Sequence, residues 1–383
     1  MTGIDSGRIE RFSRGEPVEV EVAAIERELS ALWREAAQAR PISRAALWNL
    51  IVYVGRSASL VEAKDLVGAM ASFVPARVIV LSYDGHEASG PELGATVESN
   101  VVSTPGGART ISSEEITLTA RGAGVEHFAP LARALTAPGL PTALLWIDDP
   151  PARGRLMRQL LMLSGRLVVD TGVVSGDGDL ASLHQLAGLA QARVADLGWL
   201  RLESFRLLFA GLFDPPVGGA PLRAPGRITI HHQARRAASA LLFVGWLACQ
   251  LGWTRPEARD SRSGDGRHEA RRFRFSMPGG ARMEVDLVAA PTTDGGTLPE
   301  AAGTAGVVAV ELDTGGAGFA VRRTAGNRAE LCLPVAPPRS VKLDSRSRME
   351  LCVEALRPRG HDPLFAGALA FAADLVAASE WTR

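Results

Sequence analysis

Acidic side chains stand just after two apolar runs of this sequence, where the strands of a parallel sheet usually carry their functional loops. Asp148 and Asp149 follow the run 142–147, and Asp170 closes the run 166–170. Paired carboxylates can act as general acid and base or hold Mg²⁺. We therefore take Asp148, Asp149 and Asp170 as a candidate ligand pocket. The alternative stays open that Asp149 and the two prolines after it form a turn into a helix, whose positive end favours acids.

Two other groupings of polar residues fit known sites poorly. The segment 175–179, Ser-Gly-Asp-Gly-Asp, has the Gly-x-Gly of a dinucleotide loop, but the third glycine is missing and position 181 is alanine, which favours a turn. His231 and His232 are adjacent on a predicted strand, so their side chains point to opposite faces and cannot both bind one metal without distortion. We assign no catalytic, cofactor-binding or metal residue, and we expect that the protein is not an enzyme.

The three cysteines are predicted to be structural. Cys249 and Cys352 lie in apolar helical segments and are expected in the core as small hydrophobic residues. Cys332 alternates with Leu331 and Leu333, so it faces the opposite side of a strand. The pattern gives no support for a redox pair.

The first part of the chain alternates strands with helices. Apolar runs at 48–54, 77–81, 142–147 and 166–170 suit strands that are covered on both faces, as in a parallel sheet. The runs 95–103 and 115–119 flank the turn signal 104–107 and predict a hairpin added to this sheet. Helices are predicted at 23–39, 59–73, 126–137, 153–163, 180–194 and 199–213. Residues 1–16 are expected to be a frayed leader without a signal core, followed by an extended segment at 17–22.

A domain boundary is predicted at residues 215–226, which hold four prolines and three glycines. Beyond it a strand at 226–231 and a buried helix at 235–251 precede shorter strands, with Gly279-Gly280 and Gly315-Gly316 as hairpin turns. These strands are predicted at 271–276, 282–288, 307–313, 318–323 and 329–333, with closing helices at 345–356 and 363–379. Two polar loops are predicted at 255–268 and 291–306. The sequence thus predicts an α/β domain with a mostly parallel sheet over residues 1–214, and a smaller α+β domain with a mainly antiparallel sheet over residues 227–383.

The composition excludes several classes of protein. The chain has 383 residues, and its 42 Lys and Arg balance its 42 Asp and Glu, so there is no basic footprint for nucleic acid. No apolar stretch approaches the roughly 20 residues of a membrane span. With three cysteines and no export signal, we expect a cytoplasmic protein.

Several segments of this sequence, taken in their order and with their spacing, are similar to those of a known protein family. They are RAALWNLIVYV at 44–54, PARVIVL at 75–81, SEEITL at 113–118, LARALTAPGLPTALLW at 131–146, RLVVD at 166–170 and DLGWLRLESFRLLFAGLFD at 196–214. Weaker similarity follows at 241–253 and 350–369. Together these segments resemble the OpcA family, the glucose-6-phosphate dehydrogenase assembly proteins.

The resemblance implies a non-catalytic assembly factor and allosteric activator. Its partner would be oligomeric glucose-6-phosphate dehydrogenase, the NADP-dependent entry enzyme of the oxidative pentose phosphate pathway, whose active form it would promote. For docking we favour the C-terminal half, including the exposed side of the helix 363–379. Two alternatives stay open: a regulatory protein that binds a sugar phosphate or nucleotide near Asp148, Asp149 and Asp170, and an unrecognised enzyme that depends on Asp170.

Overall fold

The chain forms two compact units in a computed structural model. The structure describes residues 11–14, 17–39, 42–44, 46–55, 59–84, 93–103, 110–147, 154–173, 179–189, 193–234, 236–254, 257–261, 270–290, 306–357 and 360–380. Unit 1 comprises residues 1–169, 189–195 and 352–358, and unit 2 comprises residues 170–188, 196–351 and 359–383. No helix among the described residues is long and apolar enough to cross a bilayer.

Unit 1 is built on a ten-stranded sheet. Its strands are β1 (Arg11–Arg14), β2 (Val18–Val20), β3 (Ile42–Arg44), β4 (Trp48–Val54), β5 (Ala76–Asp84), β6 (Leu93–Ser103), β7 (Thr110–Arg121), β8 (Thr142–Trp146), β9 (Arg166–Val169) and β10 (Arg193–Asp196). The order is β1-β6-β7-β5-β4-β8-β9-β10, with β2 beside β6 and β3 beside β7. The pairs β7–β5, β5–β4, β4–β8 and β8–β9 are all parallel, which confirms the mostly parallel sheet.

The centre of this sheet is apolar on both faces, as the continuous runs predicted. Ile51 and Val52 are adjacent on β4, point to opposite faces and are both fully buried. The predicted hairpin is also confirmed, because β6 and β7 pair in an antiparallel register from Leu93↔Ala120 to Ser103↔Thr110. The helices of this part are α1 (Ile25–Ala39), α2 (Leu60–Met70), α3 (Phe128–Leu135) and α4 (Arg155–Leu163).

Unit 2 is built on an eight-stranded, mainly antiparallel sheet. Its strands are β11 (Gly226–His232), β12 (Glu257–Ser261), β13 (Ala270–Ser276), β14 (Arg282–Ala289), β15 (Val307–Asp313), β16 (Gly318–Thr324), β17 (Arg328–Leu333) and β18 (Ala336–Lys342). The order is β12-β13-β14-β11-β15-β16-β17-β18, and only β11–β14 is a parallel pair among these. The predicted turns Gly279-Gly280 and Gly315-Gly316 join β13 to β14 and β15 to β16, all with positive φ.

The helices in the rest of the chain are α5 (Leu180–Leu189), α6 (Leu197–Arg201), α7 (Glu203–Gly211), α8 (Ala220–Arg223), α9 (Ala237–Leu251), α10 (Arg348–Leu356) and α11 (Pro363–Glu380). The predicted buried helix is confirmed by α9, whose residues 237–245 are all buried. Asp362 begins α11 as predicted, because its Oδ1 accepts the amide N–H groups of Leu364 and Phe365. The chain passes from one sheet to the other across residues 197–225, but the boundary predicted at 215–226 remains a prediction.

A close approach of α9 to α11 depends on glycine. A Cβ added to Gly245 would lie 3.1 Å from the carbonyl carbon of Ala368 and closer still to its oxygen, so backbone would have to move. We expect Gly245→Ala to lower the free energy of unfolding by about 2 kcal/mol, as overpacking does. Urea unfolding measures this, with Gly188→Ala in α5 as the control, because a Cβ there meets nothing within 4 Å. An unchanged stability of Gly245→Ala would show that the two helices can separate without cost.

Several local structures differ from those predicted, and β3 and α8 were not predicted at all. Residues 11–14 of the expected leader form β1, and residues 257–261 of the expected polar loop form β12. The helix predicted at 180–194 ends at Leu189, because Arg193–Asp196 joins the sheet as β10. The helix predicted at 199–213 is divided at Leu202 into α6 and α7, and β18 was not predicted. In each strand, pairing with a distant neighbour overrides a weak local pattern.

Candidate functional site

Asp170 forms a buried ion pair in unit 2. Both of its oxygens accept hydrogen bonds from Arg201 of α6, with the Nη2–Oδ2 distance at 2.8 Å. The Nε of Arg348 lies 3.5 Å from Oδ2. The side chain of Asp170 is 3% exposed and that of Arg201 is 6% exposed, so the pair is desolvated. A ligand at Asp170 would therefore have to replace a bidentate guanidinium that is already in place.

The other two residues of the candidate pocket, Asp148 and Asp149, lie outside the described residues, as does most of the segment 175–179. The pocket of Asp148, Asp149 and Asp170 stays a prediction, and so does the regulatory protein built on it.

Asp196 is the polar residue of this region that the sequence patterns missed. Its carboxylate accepts four hydrogen bonds: from the Thr171 amide (2.9 Å), the Thr171 hydroxyl (2.7 Å) and the amides of Gly198 and Trp199 (3.0 Å each). Burial raises its pKa to about 6, against these hydrogen bonds, which lower it. The available signal was an aspartate directly before a helical segment, which is typical of an N-cap.

The segment that follows Asp170 lies against the first turn of α6, and two glycines make this close approach possible. A Cβ added to Gly198 would lie 2.5 Å from the Thr171 hydroxyl and 2.8 Å from the amide of Gly172. A Cβ added to Gly172 would lie 2.8 Å from Nη1 of Arg201. The cluster is thus close-packed, and the carboxylates of Asp170 and Asp196 both accept hydrogen bonds within it.

The histidines and cysteines do not form a site in the described residues. His232 is buried with its Nδ1 2.9 Å from the carbonyl oxygen of Gln233, while His231 points to the other face of β11. No group of three His, Cys, Asp or Glu side chains there could hold a metal. Cys352 is buried as predicted, but the prediction for Cys249 was wrong: it is exposed in the last turn of α9, where the helix is no longer covered on all sides.

The sheet of unit 2 has one apolar and one charged face. On the apolar face Ile228, Val285 and Val310 are fully buried. The opposite face, which we call the charged face, carries side chains whose sign alternates from β13 to β16. It is formed by Arg272 and Arg274 of β13, Glu284 and Asp286 of β14, Arg227 of β11, Glu311 of β15, Arg322 of β16, Arg328 and Glu330 of β17, and Lys342 of β18.

Cross-strand ion pairs engage most charges of the charged face. Glu284 accepts from Arg274 and Arg227 at 2.8 Å each, which lowers its pKa to about 2. Arg322 donates from Nε to Glu311 at 2.8 Å. Arg272 donates to Asp286 from Nε at 2.6 Å. The face therefore presents an ordered pattern of both signs, which can discriminate between polar partner surfaces.

The extent of the charged face suits contact with a protein. Eight strands about 4.8 Å apart, each contributing about six residues of about 3.3 Å, span roughly 35 by 20 Å, or about 700 Å². A standard protein interface covers about 800 Å² on each partner. Within the face, Arg227, Thr229, Glu311, Arg322 and Cys332 help to line a shallow pocket of about 380 Å³.

Two family models match this chain in succession. The first, which describes the N-terminal domain of a glucose-6-phosphate dehydrogenase subunit, matches residues 67–196. The second describes the C-terminal domain of the same family and matches residues 192–369, which include the entire sheet of unit 2.

Curated relatives carry the name putative OxPP cycle protein OpcA. The protein of Nostoc punctiforme is 33% identical over 189 residues, which are 49% of this chain and 40% of the relative. The protein of Synechocystis is 27% identical over 238 residues, which are 62% of this chain and 49% of the relative. The chain thus spans about half the length of the curated relatives it matches.

The solved structures are more distant. A biliverdin reductase from Synechocystis has a TM-score of 0.47 at 11% identity, covering 86% of this chain and 98% of that one. An oxidoreductase from Sinorhizobium meliloti has a TM-score of 0.45 at 11% identity, covering 88% of this chain and 90% of that one.

Proposed function

The chain belongs to the OpcA family, and from this premise we propose that it is a non-catalytic partner that binds glucose-6-phosphate dehydrogenase and promotes its active form. The proposal rests on the charged face, which lies in the segment that the C-terminal family model matches. A sheet face of about interface size, most of whose charges already pair with each other, is suited to recognising another protein surface. The charged face would be the docking surface.

The helix 363–379 is less suited to docking than the sequence suggested. One side of α11 is buried, with Leu369, Ala372 and Leu375 at 1% exposure or less. Its exposed side is narrow, with Asp374 and Ala377 as exposed positions beyond the first turn. The C-terminal half remains the favoured region, with the sheet in place of the helix as the contact.

Activation would arise because this protein binds the active state of the dehydrogenase more tightly than the inactive state. The difference between the two binding free energies is the coupling free energy. A partner that prefers the active state by about 1–3 kcal/mol shifts the equilibrium toward it about 5- to 150-fold. We expect that adding this protein lowers the apparent KM of the cognate dehydrogenase or raises its turnover, and that the two elute together from a sizing column. Equal kinetics and separate elution would end the proposal.

The docking surface is tested by exchanging one ion pair of the charged face. The double variant Glu311→Arg with Arg322→Glu keeps an ion pair at this place but moves the positive charge to β15 and the negative charge to β16. We expect at least about tenfold weaker binding to the dehydrogenase, because like charges then oppose each other across the interface. The new carboxylate at position 322 also faces Glu330, so up to about 1 kcal/mol of stability is lost.

The matched control exchanges an exposed pair in unit 1, as Arg27→Glu with Glu28→Arg. This variant also replaces one Glu by Arg and one Arg by Glu, so its net charge is unchanged. We expect it to bind and activate the dehydrogenase like the unaltered protein. If the Glu311 and Arg322 exchange is equally harmless, the charged face is not the docking surface.

A further inference from the structure

A guanidinium of unit 2 lies against two tryptophan rings and donates no hydrogen bond within the part of the chain that the structure describes. The Cζ of Arg206, on α7, is 3.4 Å from the centroid of the Trp199 ring and 6.0 Å from that of Trp246. Its Nε is buried without a hydrogen-bond partner. A guanidinium has five N–H donors, and buried donors are nearly always paired. Because Nε is enclosed, an acceptor from outside the chain could reach only the two Nη groups, which donate to no described residue.

The carboxylate of Asp362 lies near Arg206 but is engaged elsewhere. Its Oδ2 accepts the indole N–H of Trp199 at 3.0 Å. Its Oδ1 accepts the amides of Leu364 and Phe365 at 3.0 Å each. Asp362 therefore attracts Arg206 without contacting it, and it fixes the Trp199 ring on which Arg206 stacks.

A second carboxylate, Glu203, accepts from Arg346 through its Oε2 at 2.7 Å and accepts no hydrogen bond from Arg206. Burial lowers the pKa of Arg206 to about 10, while Asp362 and Glu203 partly offset this effect. Arg206 is thus charged at neutral pH and makes no ion pair with a described residue. The charges of Arg206, Arg346, Asp362 and Glu203 sum to zero, so a bound anion adds its own charge in full, and this penalises a doubly charged ligand more than a singly charged one.

The Trp199 ring limits how a ligand can reach Arg206. Its centroid is 3.4 Å from Cζ, so the ring covers one side of the guanidinium and a ligand must approach the Nη groups from elsewhere. Trp199 is 2% exposed and held by its own hydrogen bond, so the platform is rigid. The planar fork of a guanidinium matches a carboxylate through two parallel hydrogen bonds.

We propose that Arg206, stacked on Trp199, is a binding site for one carboxylate group. The carboxylate comes either from a small organic acid or from an acidic side chain of a partner protein. This site is separate from the charged face and does not depend on the proposed role in activating the dehydrogenase.

The test is a titration of the full chain with sodium acetate at constant ionic strength, followed by the ¹⁵N–¹H resonances of the tryptophan indoles and of arginine Nε. We expect a saturable shift of the Trp199 and Arg206 signals with a millimolar Kd. Arg206→Lys should weaken binding by at least about tenfold, the worth of one good charged hydrogen bond, and Arg206→Met should abolish it. Arg223→Met, at an exposed position of α8, is the matched control and should leave the titration unchanged.

Three results would overturn the assignment. They are the absence of a saturable shift, the same shift in Arg206→Met, and tighter binding of inorganic phosphate than of acetate. The source of the carboxylate is distinguished by a second arm with the peptide acetyl-Gly-Asp-Gly-amide and the dehydrogenase. Tighter binding of the peptide, together with displacement of acetate by the dehydrogenase, assigns the site to a partner side chain. Retention of acetate in a complex whose two proteins elute together from a sizing column assigns it to a small acid, and if no complex forms the peptide arm alone decides.

Discussion

Replacing Asp196 by alanine is expected to lower the free energy of unfolding by about 3 kcal/mol at neutral pH. The substitution leaves the amide and hydroxyl of Thr171 and the amides of Gly198 and Trp199 without their acceptor. Each buried donor without a partner costs about 1–3 kcal/mol, less what water recovers. Chemical denaturation followed by tryptophan fluorescence measures the loss.

The matched control is Asp179→Ala. Asp179 is also an aspartate before a helix, because its Oδ1 accepts the amide of Ser182 at 3.3 Å, but it is exposed. An exposed N-cap contributes about 1 kcal/mol. Equal losses in the two variants would mean that the buried network adds nothing to an ordinary helix cap.

The effect of Asp196 should also depend on pH. Its pKa is about 6 in the folded protein and 3.8 in the unfolded reference, so the folded state binds the proton more tightly. Stability from this group is therefore highest below about pH 4 and is lost as the pH rises to about 6, by about 3 kcal/mol in all. The difference in stability between the unaltered protein and Asp196→Ala should be larger at about pH 5 than at about pH 7. A difference independent of pH would contradict the raised pKa.

The sheets were predictable because their strands follow simple patterns. The run 48–54 is apolar at nearly every position. Such a run is typical of a strand that is covered on both faces, and strands of this kind occur mainly in parallel sheets. In unit 2 the glycine pairs at 279–280 and 315–316 mark hairpins, because both turns need positive φ. The strand β10 was missed because its four residues are exposed or half-buried for the most part, so their pattern carries no strand signal.

The sites were harder to predict than the fold, because they depend on pairs distant in sequence. Asp170 has the pattern of a ligand group at a strand end, and only the fold reveals its partner 31 residues away. Arg206 has the pattern of an ordinary polar position in an amphipathic helix. Only the fold brings it beside Trp199 and Trp246, where no described carboxylate pairs with it. The alternating charges of the charged face likewise become visible only once the strand order β13-β14-β11-β15-β16-β17 is known.

Breaking the Asp170–Arg201 pair is expected to have the largest effect on stability. Arg201→Met leaves the buried carboxylate of Asp170 without its bidentate partner, which costs about 3–5 kcal/mol. Arg348 remains at 3.5 Å but is 30% exposed, so its compensation is weak. The expected result is a lower urea midpoint with an unchanged slope.

The double variant Asp170→Leu with Arg201→Met separates the worth of the pair from the cost of an unpaired charge. Two apolar side chains of similar volume replace a buried ion pair at little or no cost, so the double variant should recover most of the stability lost in Arg201→Met. If the Asp170–Arg201 pair has only a structural role, the double variant should recover this stability and still bind the dehydrogenase. Loss of a measured turnover in Asp170→Asn, in a folded protein, would instead assign Asp170 to a reaction. Because both oxygens of Asp170 already bind Arg201, we expect the recovery.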